Sequence, residues 1–268
     1  MMDEAARPGG QAMRGPRRPV RRLLFLLVLL LLAAGPARAM RVVSLNLCAD
    51  DYLLTLAPDQ AVAVTRLAAD ASLSVVAAQA ARLPRVGAQA EAVLAQHPDL
   101  VLAAGYGAQP TLAALRRAGI AVVLLALPQD FAGIRAETAR LAALLHAPAQ
   151  GAREIAALDA ALAAPSPPRG RALWVQARGW TAGPDSLEAA LLRQAGWVPL
   201  GTGVRMGLER IAALAPDLLV TAPAASTPSL GTDFLAHPLL RRLPRREVPA
   251  ALTLCPGPWS VQALPLLR

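Results

Sequence analysis

The sequence is poor in the side chains that most often build metal and redox sites. It has only two cysteines, Cys48 and Cys255, and its three histidines show no paired spacing: His97, His146 and His237. Zinc sites favour clustered histidine, cysteine and carboxylate ligands, and two cysteines close at most one internal disulfide. We therefore expect no metal ion held directly by the protein and no scaffold built from disulfides.

Lysine is absent, so all 27 basic residues are arginines, and the formal net charge of the whole chain is +9. The arginines are scattered and form no dense patch with interleaved aromatic residues, which argues against a nucleic-acid-binding protein. Seven of them lie in residues 1–39 together with Asp3 and Glu4, so the remaining chain has 20 basic and 16 acidic residues and a net charge of +4.

Motifs of common enzyme classes are also missing. The sequence has no phosphate-binding loop of the P-loop type and no Gly-x-Ser-x-Gly elbow. Gly105-Tyr106-Gly107 follows a predicted strand but lacks the third glycine of a dinucleotide-binding fingerprint. Asp50 and Asp51 open a predicted helix, where an acidic residue complements the helix dipole. We therefore predict no catalytic residues, and a protein that is not an enzyme.

The first 39 residues have the features of an export signal. Four arginines precede an uncharged apolar run over residues 23–34, and Ala37-Arg38-Ala39 fits a signal-peptidase site. The run is shorter than the roughly 20 residues that span a bilayer. We predict a signal peptide over residues 1–39 and a mature, soluble periplasmic protein that begins at or near Met40. A retained anchor is the alternative, and both the Sec and twin-arginine routes stay open.

Short apolar runs alternate with helical patterns along the rest of the chain. Strands are predicted over residues 41–45, 61–65, 100–103, 121–125, 171–176, 218–221 and 249–254. Helices are predicted over residues 50–56, 90–96, 109–118, 187–195 and 207–214. Strands separated by helices predict an α/β fold with mostly parallel sheets and right-handed crossovers.

Residues 131–164 contain helix-forming sequence without a strand, interrupted near Pro148 and Gly151 and ended by Pro165-Ser166-Pro167-Pro168. We interpret this segment as a helical strut between two lobes, and one more surface helix on a continuous sheet is the alternative. The predicted divisions are an N-terminal lobe over 40–148, a connecting helix and linker over 149–168, and a C-terminal lobe over 169–268.

An internal repeat supports two similar lobes. Glu91 stands seven residues before Pro98-Asp99, and Glu209 stands seven residues before Pro216-Asp217, each ahead of an apolar strand. Proline disfavours helical geometry in the residue before it, so each unit predicts a helix that ends and turns into a strand. The two units lie 118 residues apart and predict matching corners in the two lobes.

These units resemble those of the substrate-binding proteins that serve ABC importers for cobalamin, haem and ferric siderophores. Further resemblance lies in residues 41–50 (RVVSLNLCAD), 179–187 (GWTAGPDSL) and 255–260 (CPGPWS). The resemblance implies two α/β lobes joined by one long connecting helix, with a ligand cleft between them. It also implies an inner-membrane permease dimer with ATPase subunits as partner, docked through Glu91 and Glu209. We expect a monomer without a resident cofactor, whose cargo is a cobalt or iron chelate.

Ligands of open α/β sheets bind beyond the carboxyl ends of the strands. Candidate ligand-binding residues in such loops are Asn46, Cys48, Arg66, Tyr106, Arg178, Trp180 and Trp259. Aromatic residues form only 3% of the chain, yet three lie in these loops, where flat rings suit a macrocycle or chelate. The arginines suit an anionic chelate. A corrinoid would depend more on the rings and an iron chelate more on the arginines, and both stay open.

The resemblance also places Cys48 and Cys255 near the interface of the lobes. Either a disulfide between them or two buried thiols fits this position. An enzyme that processes corrinoids or porphyrins on the same scaffold, such as a chelatase, is the alternative function. A chelatase needs a histidine or carboxylate directed at the metal, and the sequence offers no such group of residues.

Overall fold

The computed structural model of the chain describes residues 39–223 and 233–268, so the predicted signal peptide lies outside it except for Ala39. The strands are β1 Val42–Ser44, β2 Ala61–Ala63, β3 Leu100–Ala104, β4 Ala121–Leu125, β5 Gly170–Trp174, β6 Trp197–Pro199, β7 Leu218–Thr221 and β8 Arg245–Glu247. The helices are α1 Leu47–Leu56, α2 Ala77–Ala80, α3 Ala90–Leu94, α4 Gln109–Arg117, α5 Phe131–Leu144, α6 Pro148–Ala163, α7 Leu187–Gln194, α8 Leu208–Leu214, α9 Pro238–Arg241 and α10 Leu264–Leu267.

The strands form two parallel sheets with the same topology. The first sheet has the order β2-β1-β3-β4 and the second the order β6-β5-β7-β8. In the first, Val42 of β1 pairs with Leu100 of β3, and in the second Ala172 of β5 pairs with Leu218 of β7. The predicted fold of two similar α/β lobes is therefore confirmed.

Each sheet has an apolar core on both faces, because successive side chains of a strand point to opposite sides. Val42 of β1 belongs to the core that contains α1, whereas Val43 belongs to the core that contains Val93 of α3. In the second lobe, Trp174 and Leu173 of β5 divide in the same way between two cores. Parallel sheets covered on both faces favour continuous apolar strands, and every residue of β3 and β7 is buried.

The lobes are joined by α6, a helix of 16 residues that packs along α5. Pro148 occupies the start of α6, where a proline loses no hydrogen bond. The predicted interruption at Gly151 is wrong, because this residue lies inside the helix. A Cβ atom there would lie 2.3 Å from the Cβ atom of Ala142 on α5, so glycine allows the two helices to approach closely.

The predicted strand over residues 249–254 is also wrong. Ala250–Leu252 forms a 3-10 turn, and the last strand is β8, which pairs with β7. Strands β6 and β8 escape the sequence pattern because both are three-residue edge strands, so they need no continuous apolar run. Pro199 in β6 is tolerated at an edge, where its missing N–H group costs no ladder hydrogen bond.

Candidate functional site

A cavity of about 480 Å³ opens at the carboxyl ends of β1, β2 and β3. Its polar lining consists of Asn46 and Thr65, and Tyr106 follows β3 at its edge. Residues 254 and 255 of the second lobe complete the wall. Its apolar lining consists of Leu45, Leu47, Leu67, Val86, Ala88 and Leu254. Within the described residues the lining holds no charged side chain, so the cavity suits an apolar surface with few hydrogen-bonding groups.

Asn46 forms the corner between β1 and α1. Its backbone is extended, and its side-chain oxygen accepts a hydrogen bond of 2.9 Å from the backbone N–H of Cys48, which caps α1. The hydroxyl group of Ser44 donates to the Asn46 carbonyl over 3.0 Å. These bonds hold Asn46 and Cys48, two of the predicted ligand-binding residues, at the cavity.

Cys48 and Cys255 form a disulfide, with their Cα atoms 4.9 Å apart. The bond joins the first turn of α1 to the second lobe, and both cysteines line the cavity. We name residues 255–260 the crossing segment, because Cys255 and Trp259 pack in the apolar core of the first lobe. The disulfide is therefore a second covalent connection between the lobes, in addition to α6.

Trp259 anchors the crossing segment and does not line the cavity, which corrects the prediction for this residue. Its side chain is only 5% exposed, and its ring meets that of Tyr52 edge to face with the centroids 5.0 Å apart. The indole N–H donates to the Cys255 carbonyl over 2.9 Å, and the Tyr52 hydroxyl donates to the Pro256 carbonyl over 3.0 Å. The ring is buried because the 3-10 turn over Pro258–Ala263 packs it into the core.

The other two predicted aromatic residues are exposed. Tyr106 is 60% exposed and borders the cavity, in agreement with its place after β3. Trp180 is 47% exposed but lies outside the cavity lining. It follows the 3-10 turn Ala177–Gly179 and forms an isolated β-bridge with Arg205. The structure therefore brings only Tyr106 of the three predicted rings to the cavity.

Arg66 and Arg178 are exposed and also lie outside the cavity lining. Arg66 stands between Thr65 and Leu67, which both line the cavity, so its backbone is at the rim while its side chain is in solvent. Arg178 has a left-handed backbone with φ of 60°, and its carbonyl accepts a hydrogen bond from the Arg205 guanidinium over 3.2 Å. Neither arginine is therefore part of the described cavity lining.

The structure adds lining residues that sequence reasoning missed, among them Thr65, Val86 and Leu254. Thr65 ends a predicted strand, and this position is the one signal that could have identified it. Val86 and Leu254 are ordinary apolar residues whose place depends on packing between distant segments. A single sequence carries no pattern that indicates such a contact.

Asp50 and Asp51 are fully buried in the first turns of α1, so complementing the helix dipole explains only part of their placement. The two Asp50 oxygens accept hydrogen bonds from the Thr65 N–H over 3.1 Å and from the Thr65 hydroxyl over 2.5 Å. Asp51 accepts one from the Ser74 hydroxyl over 2.6 Å. Burial raises the pKa of Asp50 to about 6, although the bonds from Thr65 oppose it. Burial, with the added charge of Asp50, raises the pKa of Asp51 to about 7.

Across residues 39–223 and 233–268, no group of three or more histidine, cysteine, aspartate or glutamate residues is arranged to hold a metal ion. Within the same ranges, every helix is too short or too polar to cross a membrane.

The model of the periplasmic binding protein family matches residues 42–244. Similar solved structures include the periplasmic heme-binding protein RhuT from Roseiflexus sp. RS-1, with 22% identity, a TM-score of 0.65 and coverage of 84% of this chain and 95% of that chain. The heme-binding protein HutB of Vibrio cholerae has 20% identity, a TM-score of 0.66 and coverage of 85% and 96%.

The vitamin B12 binding protein BtuF of Vibrio cholerae has 18% identity, a TM-score of 0.59 and coverage of 85% and 95%. At these identities the structures show a shared fold. Comparison with curated protein sequences gives no match.

The raised pKa values predict that stability falls as pH rises. In the unfolded chain the Asp51 carboxyl ionises near its ordinary pKa of 3.8, whereas in the folded chain it keeps its proton until about 7. The stabilisation that comes from the protonated Asp51 carboxyl is complete below pH 3.8 and is lost as pH rises through 7. Between pH 5 and pH 8, wild type should lose about 2–3 kcal/mol more unfolding free energy than Asp51→Asn. Urea unfolding at both pH values measures this, and parallel profiles would contradict it.

Loss of the disulfide should destabilise the chain strongly. The bonded cysteines are 207 residues apart in sequence, and the chain-entropy model assigns about 5 kcal/mol to a closed loop of this size. The double variant Cys48→Ala with Cys255→Ala should unfold at lower urea concentration and match the wild type treated with a reductant. Thiol counting on unfolded, unreduced wild type should find no reactive thiol. Two reactive thiols would refute the bond.

Proposed function

The chain belongs to the periplasmic binding protein family, and on this basis we propose that it is the substrate-binding component of an ABC importer. In this proposal the mature protein begins near Met40, is soluble in the periplasm, and binds a metal chelate between its lobes. It then delivers the chelate to an inner-membrane permease dimer with its ATPase subunits. The predicted signal peptide supports export, and the relatives with heme or vitamin B12 in their names support the ligand class.

The observation that carries the proposal is the cavity at the strand ends. It is accessible, it is apolar apart from three hydrogen-bonding side chains, and both lobes contribute to its wall. Such a site holds a ligand by contact with an apolar face and orients it by a few polar groups. Among residues 39–223 and 233–268, the lining includes no histidine or carboxylate that could act on a bound metal, so no observed side chain favours the chelatase alternative.

The character of the cavity also supports a ligand with a flat or curved apolar face, such as a corrinoid or a porphyrin. Tyr106 provides an exposed ring against which such a face can pack. We propose that Trp180, Arg66 and Arg178, which are exposed outside the lining, contact the part of the ligand that projects from the cavity. An anionic ligand group would then meet the arginines at the rim.

Glu91 and Glu209 are suited to docking because they occupy equivalent places in the two lobes. Each lies in the first turn of a short helix, α3 or α8, that precedes the third strand along its sheet, β3 or β7. Both side chains are exposed, and neither makes a salt bridge to another described residue. We propose that these two carboxylates pair with arginines on the two permease subunits. Paired charges on a rigid body fix orientation and speed encounter.

Binding of three chelates tests the ligand class: cyanocobalamin, haemin and a ferric trihydroxamate. Wild type should bind at least one, and Tyr106→Ala with Trp180→Ala should weaken that binding about tenfold or more, because two contact rings are lost. Leu239→Ala, a similarly exposed apolar residue outside the cavity, should bind like wild type. Tryptophan fluorescence or calorimetric titration measures the affinities. Equal affinity of wild type and the double variant for every chelate would refute this site.

Charge reversal tests docking. Glu91→Arg with Glu209→Arg should abolish uptake of the chelate by cells while melting temperature and ligand affinity stay at wild-type values, because exposed charges contribute little to folding. The matched control is Asp59→Arg with Glu247→Arg, which makes the same charge change at one exposed acidic residue on each lobe. The control should support normal uptake at equal protein abundance. Normal uptake by the Glu91 and Glu209 variant would show that these residues only begin their helices.

A further inference from the structure

One wall of the cavity is a short loop after β2. We name residues 65–69 the cavity loop: Thr65 and Leu67 line the cavity, and Leu67–Ala69 forms a 3-10 turn. Leu67 is 53% exposed and Ala68 is fully buried, so the loop presents one apolar side chain to the cavity while its next residue packs in the core. The direction of Leu67 therefore depends on how the start of this loop is held.

The start of the loop is held by Asp50. Its two oxygens accept the Thr65 N–H over 3.1 Å and the Thr65 hydroxyl over 2.5 Å, so both donors of one residue end on one carboxylate. Asp50 is itself fully buried in α1, two residues after the disulfide-bonded Cys48. The loop is thus attached to the helix that also carries the connection to the second lobe.

We propose that Asp50 is a positioning residue of the ligand site, which holds the cavity loop through Thr65 so that Thr65 and Leu67 face the ligand. The inference rests on the proposed function, because it takes the cavity to be the place where the ligand binds. Asp50 is buried behind the wall and acts through Thr65.

A buried carboxylate is suited to holding the loop, although it lowers the stability of the core. Burial disfavours its charged form and raises the pKa of Asp50 to about 6, so the group is retained against a desolvation cost. Apolar residues of similar size often stabilise a protein more than a buried charge does. An ionised carboxylate, however, offers two acceptor oxygens side by side, which the N–H and O–H groups of Thr65 require.

Asp51 provides a matched control on the next residue of the same helix. It is equally buried and is also bonded to a serine or threonine hydroxyl, that of Ser74. Ser74 is buried and lies outside the cavity lining. Removing the Asp51 carboxylate therefore disturbs a similar buried bond without releasing the cavity loop. If buried aspartates on α1 served only the fold, Asp50 and Asp51 would behave alike.

The experiment compares Asp50→Ala, Asp50→Asn and Asp51→Ala. The probe is whichever of cyanocobalamin, haemin and a ferric trihydroxamate the wild type binds most tightly, and affinity is measured per folded molecule. Asp50→Ala should weaken binding about tenfold or more, because the loop loses both acceptors. Asp50→Asn keeps one acceptor oxygen and should recover part of this loss. Asp51→Ala should change affinity less than about twofold even where its melting temperature falls.

Hydrogen exchange of the free proteins gives a second readout that needs no ligand. Amides of residues 65–69 should exchange about tenfold faster in Asp50→Ala than in wild type and stay protected in Asp51→Ala. The proposal is overturned if Asp50→Ala keeps wild-type affinity, if Asp51→Ala loses as much affinity, or if the loop amides stay protected in Asp50→Ala. Failure of wild type to bind any of the three probes refutes the ligand class instead, and exchange then decides the role of Asp50 in holding the loop.

Discussion

The first turn of α1 is the point to which the other parts of the site are attached. Within four residues, Cys48 is bonded to the second lobe, Asp50 to the loop after β2, and Asp51 to Ser74. Asn46 caps the same turn and links it to β1. A shift of this turn would move the floor and one wall of the cavity together. The geometry of the cavity therefore depends on a single strand-to-helix corner.

This corner combines stabilising and destabilising elements. The disulfide and the packing of Tyr52 on Trp259 hold the lobes together without a large aromatic core, in a chain whose aromatic content is only 3%. The two buried aspartates oppose folding at neutral pH, because their ionised forms are poorly solvated. Proteins tend to break the rules of local stability at functional sites and to compensate elsewhere. Here the compensating interactions, the disulfide of Cys48 and the packing of Tyr52, involve the same helix α1.

The sequence predicts strands that are continuous apolar runs and misses those that are not. Strand β7 has the predicted bounds because it is buried on both faces and therefore apolar throughout. Strand β4 also has the predicted bounds, because its five residues are all apolar although it lies at the edge of the first sheet. The repeated Glu and Pro-Asp units lie at equivalent corners of the two sheets, as the internal repeat indicates. Edge strands β6 and β8 are polar or contain proline, so their residues resemble loops, and only pairing with β5 and β7 reveals them.

The candidate site is predictable where it depends on position along a strand and unpredictable where it depends on packing. Asn46, Cys48 and Tyr106 follow strands and border the cavity. Trp259 lies in a sequence typical of a loop, yet contact with Tyr52 buries it, and that contact joins residues more than 200 positions apart. Burial of Asp50 and Asp51 has the same origin, because their partners Thr65 and Ser74 come from a separate loop.

The crossing segment also has a consequence for biogenesis. Cys48 and Cys255 are 207 residues apart, so the bond cannot close until the chain has been synthesised through Cys255, and it persists only in an oxidising environment. A chain with two cysteines has one intramolecular pairing, and reshuffling of wrong internal bonds cannot occur. Maturation therefore needs an oxidant and no disulfide isomerase. Until Cys255 has been synthesised, the Cys48 thiol has no partner within its own chain, and a mixed disulfide with another molecule is then the one wrong bond it can form.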